Sequence, residues 1–191
     1  MSLPQLLKEV QACRICAASL KLGPRPVLRA STTARLLIVG QAPGSKVHAS
    51  GVPWDDKSGT RLRQWAGLSD AEFYDAAKVA ILPMGFCYPG AGASGDNPPR
   101  PECAPHWHAR LSEYLPQPRL TLLVGQYAQR YYLGTARQAS LTETVKAFAQ
   151  YRPAFFPLPH PSWRSTLWMR SNPWFERDVV PALREAVRSL L

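Results

Sequence analysis

Acidic side chains are scarce in this chain. Only 13 Asp and Glu stand against 23 Lys and Arg, a formal net charge of +10, and such an excess favours a polyanionic partner such as nucleic acid. Many of the cations are Arg spread along the whole sequence, a distribution that a solvated basic surface also produces. Long apolar runs are missing too. Nowhere do about 18 apolar residues stand together, the length a membrane-spanning helix needs. The opening MSLPQLLKEVQACRIC has no apolar core of signal-peptide length, so a cytoplasmic protein with no membrane partner is expected. Cysteine is limited to four residues. No internal repeat, low-complexity tract or linker interrupts the chain, so residues 1–191 are expected to form a single domain.

The residues that are present centre on Arg35–Gly59. Leu36–Val39 is a short continuous apolar run, the pattern of a strand buried on both faces. It stops at Gly40 and passes into the loop Gly40-Gln41-Ala42-Pro43-Gly44. In an open α/β sheet such a loop lies at the carboxyl end of a strand, where these folds bind ligands. Gly40 and Gly44 let a ligand approach the backbone, and Pro43 stiffens the turn.

The remaining elements follow in order. Leu6, Leu7, Val10 and Cys13 recur at helical spacing over Leu3–Cys13, and 21–33 reads as a loop. A short helix is predicted over Gly59–Ala66, and another after Ser69, with Glu72 completing a capping box. Lys78–Met84 is a second strand. Gly85–Pro105 holds so much Gly and Pro that no regular element crosses most of it, and a loop of that length inside a domain is usually functional or disordered. A helix over Ala104–Leu115, a strand over Leu120–Val124 and a helical segment from Gln126 come next. Ser140 with Glu143 introduces a helix over Leu141–Gln150, Ala154–Leu158 is the fourth strand, and Pro173–Leu191 closes the chain as an amphipathic helix. Strands alternating with helices imply right-handed crossovers. The expected fold is therefore a three-layer α/β/α sandwich around a central four-stranded parallel sheet.

The cysteines form a pattern of their own. Cys13 and Cys16 make a Cys-x-x-Cys pair, while Cys87 and Cys103 bracket the irregular loop. In a reducing compartment this points to a metal site before disulfides. Four thiolates suit a tetrahedral zinc or an iron–sulfur cluster, although the second spacing is wider than a zinc ribbon normally uses. Four unrelated buried thiols is the alternative.

Five features in this order span nearly the whole chain: Cys13/Cys16, Gly40–Gly44, Gly51-Val52-Pro53-Trp54, Cys87/Cys103 and His160-Pro161-Ser162. Together they resemble the uracil-DNA glycosylase superfamily, most closely its iron–sulfur branch, family 4. The resemblance implies excision of uracil or another damaged base from single- or double-stranded DNA by a monomer, with a [4Fe–4S] cluster on the four cysteines and zinc as alternative. It implies that His160 stabilises the departing base, that Trp54 stacks on it, and that backbone around Gly40, Gln41, Ala42 and Pro43 binds it. Ser162, Arg164 and Lys46 are expected at flanking phosphates, with Lys57, Arg61 and Arg170 also near the rim of a basic groove.

The sequence departs from the family in three places. Gln41 replaces the Glu of the GEAPG-like loop, and Ala42 stands where the classical branch's GQDPYH has its acid. Pro83 falls where the family's TNVVKC has an Asn that reads the pyrimidine edge. Asp55 and Asp56 follow Trp54, where Val-Gly is usual; one of them replaces the missing acid or accepts a base N–H, or both belong to a solvated turn. Two further readings stay open: a non-catalytic DNA- or nucleotide-binding relative that retains the pocket, and an enzyme acting on a free nucleotide.

Overall fold

A computed structural model describes residues 1–116 and 119–191 of the chain. Its centre is a four-stranded parallel sheet of Leu36–Val39 (β1), Val79–Ile81 (β2), Leu120–Val124 (β5) and Phe155–Leu158 (β6), in the spatial order β2-β1-β5-β6. β1 lies between the next two in register, with Leu36 opposite both Val79 and Leu120. Thr121 of β5 pairs with Phe155 of β6. The strand order reverses between β1 and β5, because the chain leaves β1 for one side and returns across it to the other. In open α/β sheets that reversal opens a crevice at the carboxyl ends of the strands.

Successive side chains of a strand point to opposite faces, and β1 shows what this does to an unbroken apolar run. Leu36 and Ile38 enter one core with Leu62, Trp65, Phe73, Phe175 and Leu183, whereas Leu37 and Val39 enter a second with Leu6, Val10, Trp107 and Leu111. The first core is covered by helices Lys57–Ala66 (α3), Asp70–Tyr74 (α4), Leu141–Lys146 (α7) and Val180–Arg188 (α9). The second is covered by Leu3–Gln11 (α1), Cys103–Ser112 (α5) and Gln126–Leu133 (α6). The three-layer α/β/α fold follows.

Local chemistry accounts for the boundaries that differ from the sequence reading. α3 starts two residues earlier than expected because the Asp56 carboxylate accepts the Gly59 N–H at 2.8 Å and caps it. Ser69 and Glu72 form the expected capping box. At Ser140 the hydroxyl accepts the Glu143 N–H, but the helix turns at Ala147 into a 3₁₀ segment, Phe148–Tyr151. Arg152 behind it is extended, as a residue before proline must be. Two helices lie where the sequence reading places no element: Ser45–Ser50 (α2), directly after the glycine–proline loop, and Ser165–Ser171 (α8), after the His-Pro motif. The closing helix begins with a π-helical turn over Phe175–Val179. The irregular 85–105 stretch contains one small hairpin, Ala91–Gly92 (β3) against Gly95–Asp96 (β4). Among the described residues no helix is long and apolar enough to cross a membrane.

Candidate active site

The loop after β1 is tied into the sheet by its own backbone. Met84 N–H donates to the Gly40 carbonyl at 2.9 Å, and Gly85 N–H to that of Gln41 at 3.0 Å. The strand leading to Cys87 thereby fixes the loop. Above it lies a cleft of about 430 Å³, within the range of small-molecule sites. Gly40, Gln41, Ala42, Pro43, Trp54, Asp56, Pro83, His160, Ser162 and Arg164 all line it. Asp55 is exposed and does not line the cleft, and neither do Lys46, Lys57, Arg61 and Arg170.

Trp54 carries the clearest mark of a constrained site. Its φ is +58°, the left-handed region, and it is the one non-glycine residue there among those described; such a conformation costs about 1–3 kcal/mol and persists only where its surroundings enforce it. Two glycines enforce it here. A Cβ on Gly40 would meet Trp54 Cζ2 at 2.6 Å, and one on Gly59 would meet the Trp54 carbonyl oxygen at 1.8 Å. That carbonyl also accepts from the Arg63 guanidinium and from the Tyr74 hydroxyl, both at 3.4 Å. The indole is consequently laid over the bare backbone of Gly40, with its ring centroid 5.8 Å from that of His160 at an interplanar angle of 34°.

His160 arrives from the end of β6. A Cβ on Gly125, after β5, would stand 3.4 Å from the His160 Cβ, so the bare glycine at the end of β5 is what lets His160 pack down beside it. The Ser165 hydroxyl, at the start of α8, donates to the His160 carbonyl. Burial pushes the imidazole below the usual histidine range, and the Asp56 charge opposes this only in part. The ring is therefore neutral at pH 7. Among the described residues its nitrogens make no hydrogen bond, which leaves a donor and an acceptor for whatever enters the cleft.

Pro83 occupies a wall of the cleft, and its carbonyl is held from behind by His108. The Pro83 oxygen can only accept, so His108 Nε2 is the donor at 3.0 Å, and Nδ1 takes the Tyr132 hydroxyl at 2.8 Å. This histidine is buried without a charge partner, and burial lowers its pKa to about 4.

Two of the expected rim cations have internal duties. Arg61 donates to the Ser162 carbonyl at 2.7 Å and to Thr166 Oγ1 at 3.2 Å, joining α3 to the His-Pro loop. Arg164 donates to the Ser94 carbonyl on the hairpin and lies 5.4 Å over the ring of Trp163. Lys46, Lys57 and Arg170 are exposed. The sequence reading missed Trp163, which lines the cleft while 73% exposed, and Asp96, which lines it from the hairpin. Trp163 sits inside the motif that was read, but only its exposure distinguishes it from a core tryptophan. Asp96 lies in a segment whose pairing has no local signal.

Cys13, Cys16, Cys87 and Cys103 line one small cavity between α1, the start of α5 and the strand extension from β2. The Phe86 backbone N–H donates to the Cys103 sulfur at 3.3 Å. Burial raises the Cys87 thiol to about 11 and the Cys103 thiol to about 12, so a metal that binds here must displace their protons. Among the described residues no group of three or more His, Cys, Asp or Glu is arranged to hold a metal ion. Around a single zinc, sulfurs at about 2.3 Å from the metal crowd together. A cavity lined by four thiols has the donor set that either zinc or an iron–sulfur cluster takes.

A parallel sheet with a cleft at the carboxyl ends of its strands, walled by an enforced aromatic and an unpartnered imidazole, defines a doubly wound α/β protein with its candidate site where such folds place one. The chain belongs to the Uracil DNA glycosylase superfamily, which matches residues 29–184. The match takes in every cleft residue named above, together with Cys87 and Cys103. It begins after Cys13 and Cys16.

Proposed function

We propose that this protein is a DNA glycosylase that flips a damaged base, uracil among the candidates, out of the DNA stack and hydrolyses its N-glycosidic bond. The bond between C1′ and the base nitrogen breaks, water supplies hydroxyl to C1′, and its proton goes to the released base. The observation that carries this reading is His160: a neutral, unpartnered imidazole N–H inside a cleft, beside the face of Trp54. A donor aimed at charge that develops on the leaving base lowers the barrier most where water is excluded. Trp54 offers the π-face on which a flipped base stacks. With Gln41 and Ala42 in the loop, Asp56, whose charge acts on His160 and which lines the cleft, takes the part of the missing acid. Arg164, Ser162 and the exposed Lys46, Lys57 and Arg170 would meet phosphates, and Trp163 would meet exposed bases at the rim.

The test is a panel of single- and double-stranded oligonucleotides carrying uracil, hypoxanthine, xanthine or other lesions, assayed for abasic sites. Release of one base, lost with His160→Ala, is the expected result. Salt-sensitive binding with no abasic product on any member would instead favour the non-catalytic reading, to which Pro83 at the edge-reading position already lends weight.

The four cysteines would hold a [4Fe–4S] cluster with a structural role, since four thiolates leave no open position for a substrate. Its presence would pin α1 to the strand extension that hydrogen-bonds the Gly40–Gly44 loop. Anaerobically purified protein should be brown. Colourless protein with stoichiometric zinc would replace the cluster, and metal-free protein would leave four free, partly buried thiols.

A further inference from the structure

We infer that Arg63 is the positioning residue for the aromatic face of the cleft: its guanidinium, together with the Tyr74 hydroxyl, holds the Trp54 carbonyl and so keeps the indole turned toward a stacked base. The inference rests on the base-stacking role of Trp54 in the proposed function and is independent of cleavage.

Arg63 lies on α3, nine residues beyond Trp54, and its side chain is only 11% exposed. A guanidinium keeps its charge in a protein, so one withdrawn this far from water needs partners. Its Nε lies 2.6 Å from the Asp70 carboxylate at the start of α4. Nη2 donates to Thr60 Oγ1 on the same helix at 3.4 Å. Nη1 donates to the Tyr74 hydroxyl at 3.3 Å and to the Trp54 carbonyl at 3.4 Å. The guanidinium carbon also stands 5.3 Å from the ring centre of Phe73 and 5.5 Å from that of Tyr74, within cation–π reach.

The Tyr74 hydroxyl completes a triangle. Arg63 can only donate, so the hydroxyl accepts from it and gives its own proton to the Trp54 carbonyl, at 3.4 Å. Burial raises the Tyr74 pKa above the ordinary tyrosine value and the Arg63 charge opposes this only in part, so the group remains a donor.

Each of these contacts is long for a hydrogen bond. Together they set a full positive charge and an O–H dipole on one carbonyl oxygen, that of the tryptophan whose φ is +58°. Gly59 gives that oxygen room, since a Cβ there would meet it at 1.8 Å. Room alone does not hold it. Rotation of Trp54 out of the left-handed region moves its carbonyl, and among the described residues no other side chain donates to that oxygen. Lysine could not take the place of Arg63. An ammonium is a point charge, whereas the planar fork meets Asp70 on one edge and still presents Nη1 to Trp54. What depends on this is the indole face beside His160, with the two ring centroids 5.8 Å apart.

The experiment uses the full-length protein and single-stranded oligonucleotides alike except at one central position, which carries a 2′-fluorinated uracil or hypoxanthine nucleotide or a base-free tetrahydrofuran. The fluorine suppresses hydrolysis, so fluorescence anisotropy reads binding alone. The quantity measured is the ratio of affinity for the better-bound base to affinity for the base-free site. Trp54→Ala should lower this ratio by about fivefold to a hundredfold, the range of one base–aromatic stack. Arg63→Lys and Arg63→Gln should lower it by about tenfold, the size of one hydrogen bond to a charged group, and leave affinity for the base-free oligonucleotide unchanged. Should the Arg63 variants fail to fold, Asp70→Asn decides. That residue is 77% exposed, and its substitution should lower the ratio by about twofold to fivefold, the range of an exposed ion pair. Equal losses on base-bearing and base-free oligonucleotides would make Arg63 merely structural and overturn the inference. So would a ratio that Trp54→Ala lowers and these variants leave unchanged. A wild-type ratio of one, or one that Trp54→Ala does not move, overturns the stacking role of Trp54 itself, and Arg63 falls with it. Absence of base release from the lesion panel removes the glycosylase and leaves the ratio, and Arg63, standing.

Discussion

A neutral imidazole does its work on a departing base by offering one N–H where the negative charge will be, and its value rises as water leaves the site. His160 meets both conditions, since nothing among the described residues occupies its nitrogens and burial keeps its proton count low. His160→Ala is expected to reduce single-turnover base release by a factor on the order of a hundred to a thousand, the cost of one lost oxyanion donor. Fluorescence-monitored DNA binding should change far less. Asp56→Asn retains an oxygen for the Gly59 N–H, so it should leave the fold intact. A tenfold or larger loss of rate from that substitution would mark Asp56 as the relocated acid, and a near-normal rate would leave His160 and the backbone as the machinery. The histidine was legible in the sequence because a His-Pro-Ser motif stands at a strand end. Asp96 was not, because its approach to Gly44 depends on how a hairpin about 50 residues further along folds back.

At the scale of elements, α3 illustrates a conflict between propensity and packing. Gly59 lies in its first turn, where alanine would favour the helix by up to about 1 kcal/mol. Yet a Cβ there would sit 1.8 Å from the Trp54 carbonyl, a backbone atom that has no room to yield. Gly59→Ala should therefore lower the urea midpoint and weaken DNA binding together, because α3 and the left-handed Trp54 must both move. Should the variant be as stable as wild type, the enforced position of Trp54 would be mistaken. The sequence periodicity found α3 from its buried Leu62, Trp65 and Ala66, and it missed α8 for a matching reason. Trp168 and Met169 are only partly buried, and Trp168 is fixed by a hydrogen bond to Thr142 on another helix. That bond leaves no pattern within α8 itself.

For the whole molecule, the net charge of +10 and the distribution of cations set the response to salt. Removing Lys46, Lys57 or Arg170, each exposed, should weaken binding to all sequences alike and flatten the dependence of log affinity on log salt by about one for each phosphate no longer neutralised. Unchanged affinity after all three substitutions would move the interface elsewhere. Arg61 should behave differently, since its removal frees the His-Pro loop from α3 and so affects release as well as binding.

The response to acid is set by His108. Its folded pKa of about 4 lies below the ordinary 6.5, so between those values the unfolded chain binds the extra proton and stability falls as the pH falls. The stabilisation is complete above 6.5 and diminishes by about 3 kcal/mol on the way to the folded value. His160, shifted in the same direction, adds to it. Urea midpoints across that range should show the decline, and His108→Gln, which keeps a donor for Pro83 without titrating there, should flatten it.

What the sequence determined by itself was whatever is encoded by neighbours. The strands Leu36–Val39 and Leu120–Val124 came from uninterrupted apolar runs, the helix starts at Ser69 and Ser140 from capping residues, and the loop after β1 from glycine and proline at a strand end. The family could be read for the same reason, as ordered short motifs. Tertiary structure alone decided how residues distant in the chain meet: that four cysteines share one cavity, that Arg61 and Arg164 hold carbonyls of distant segments, and that Asp96 joins Asp56 beside Gly44 while Asp55 lies outside the cleft. These depend on strand order and on the close approach of backbones. Strand order is settled by the packing of both cores at once, and no local window of sequence contains it.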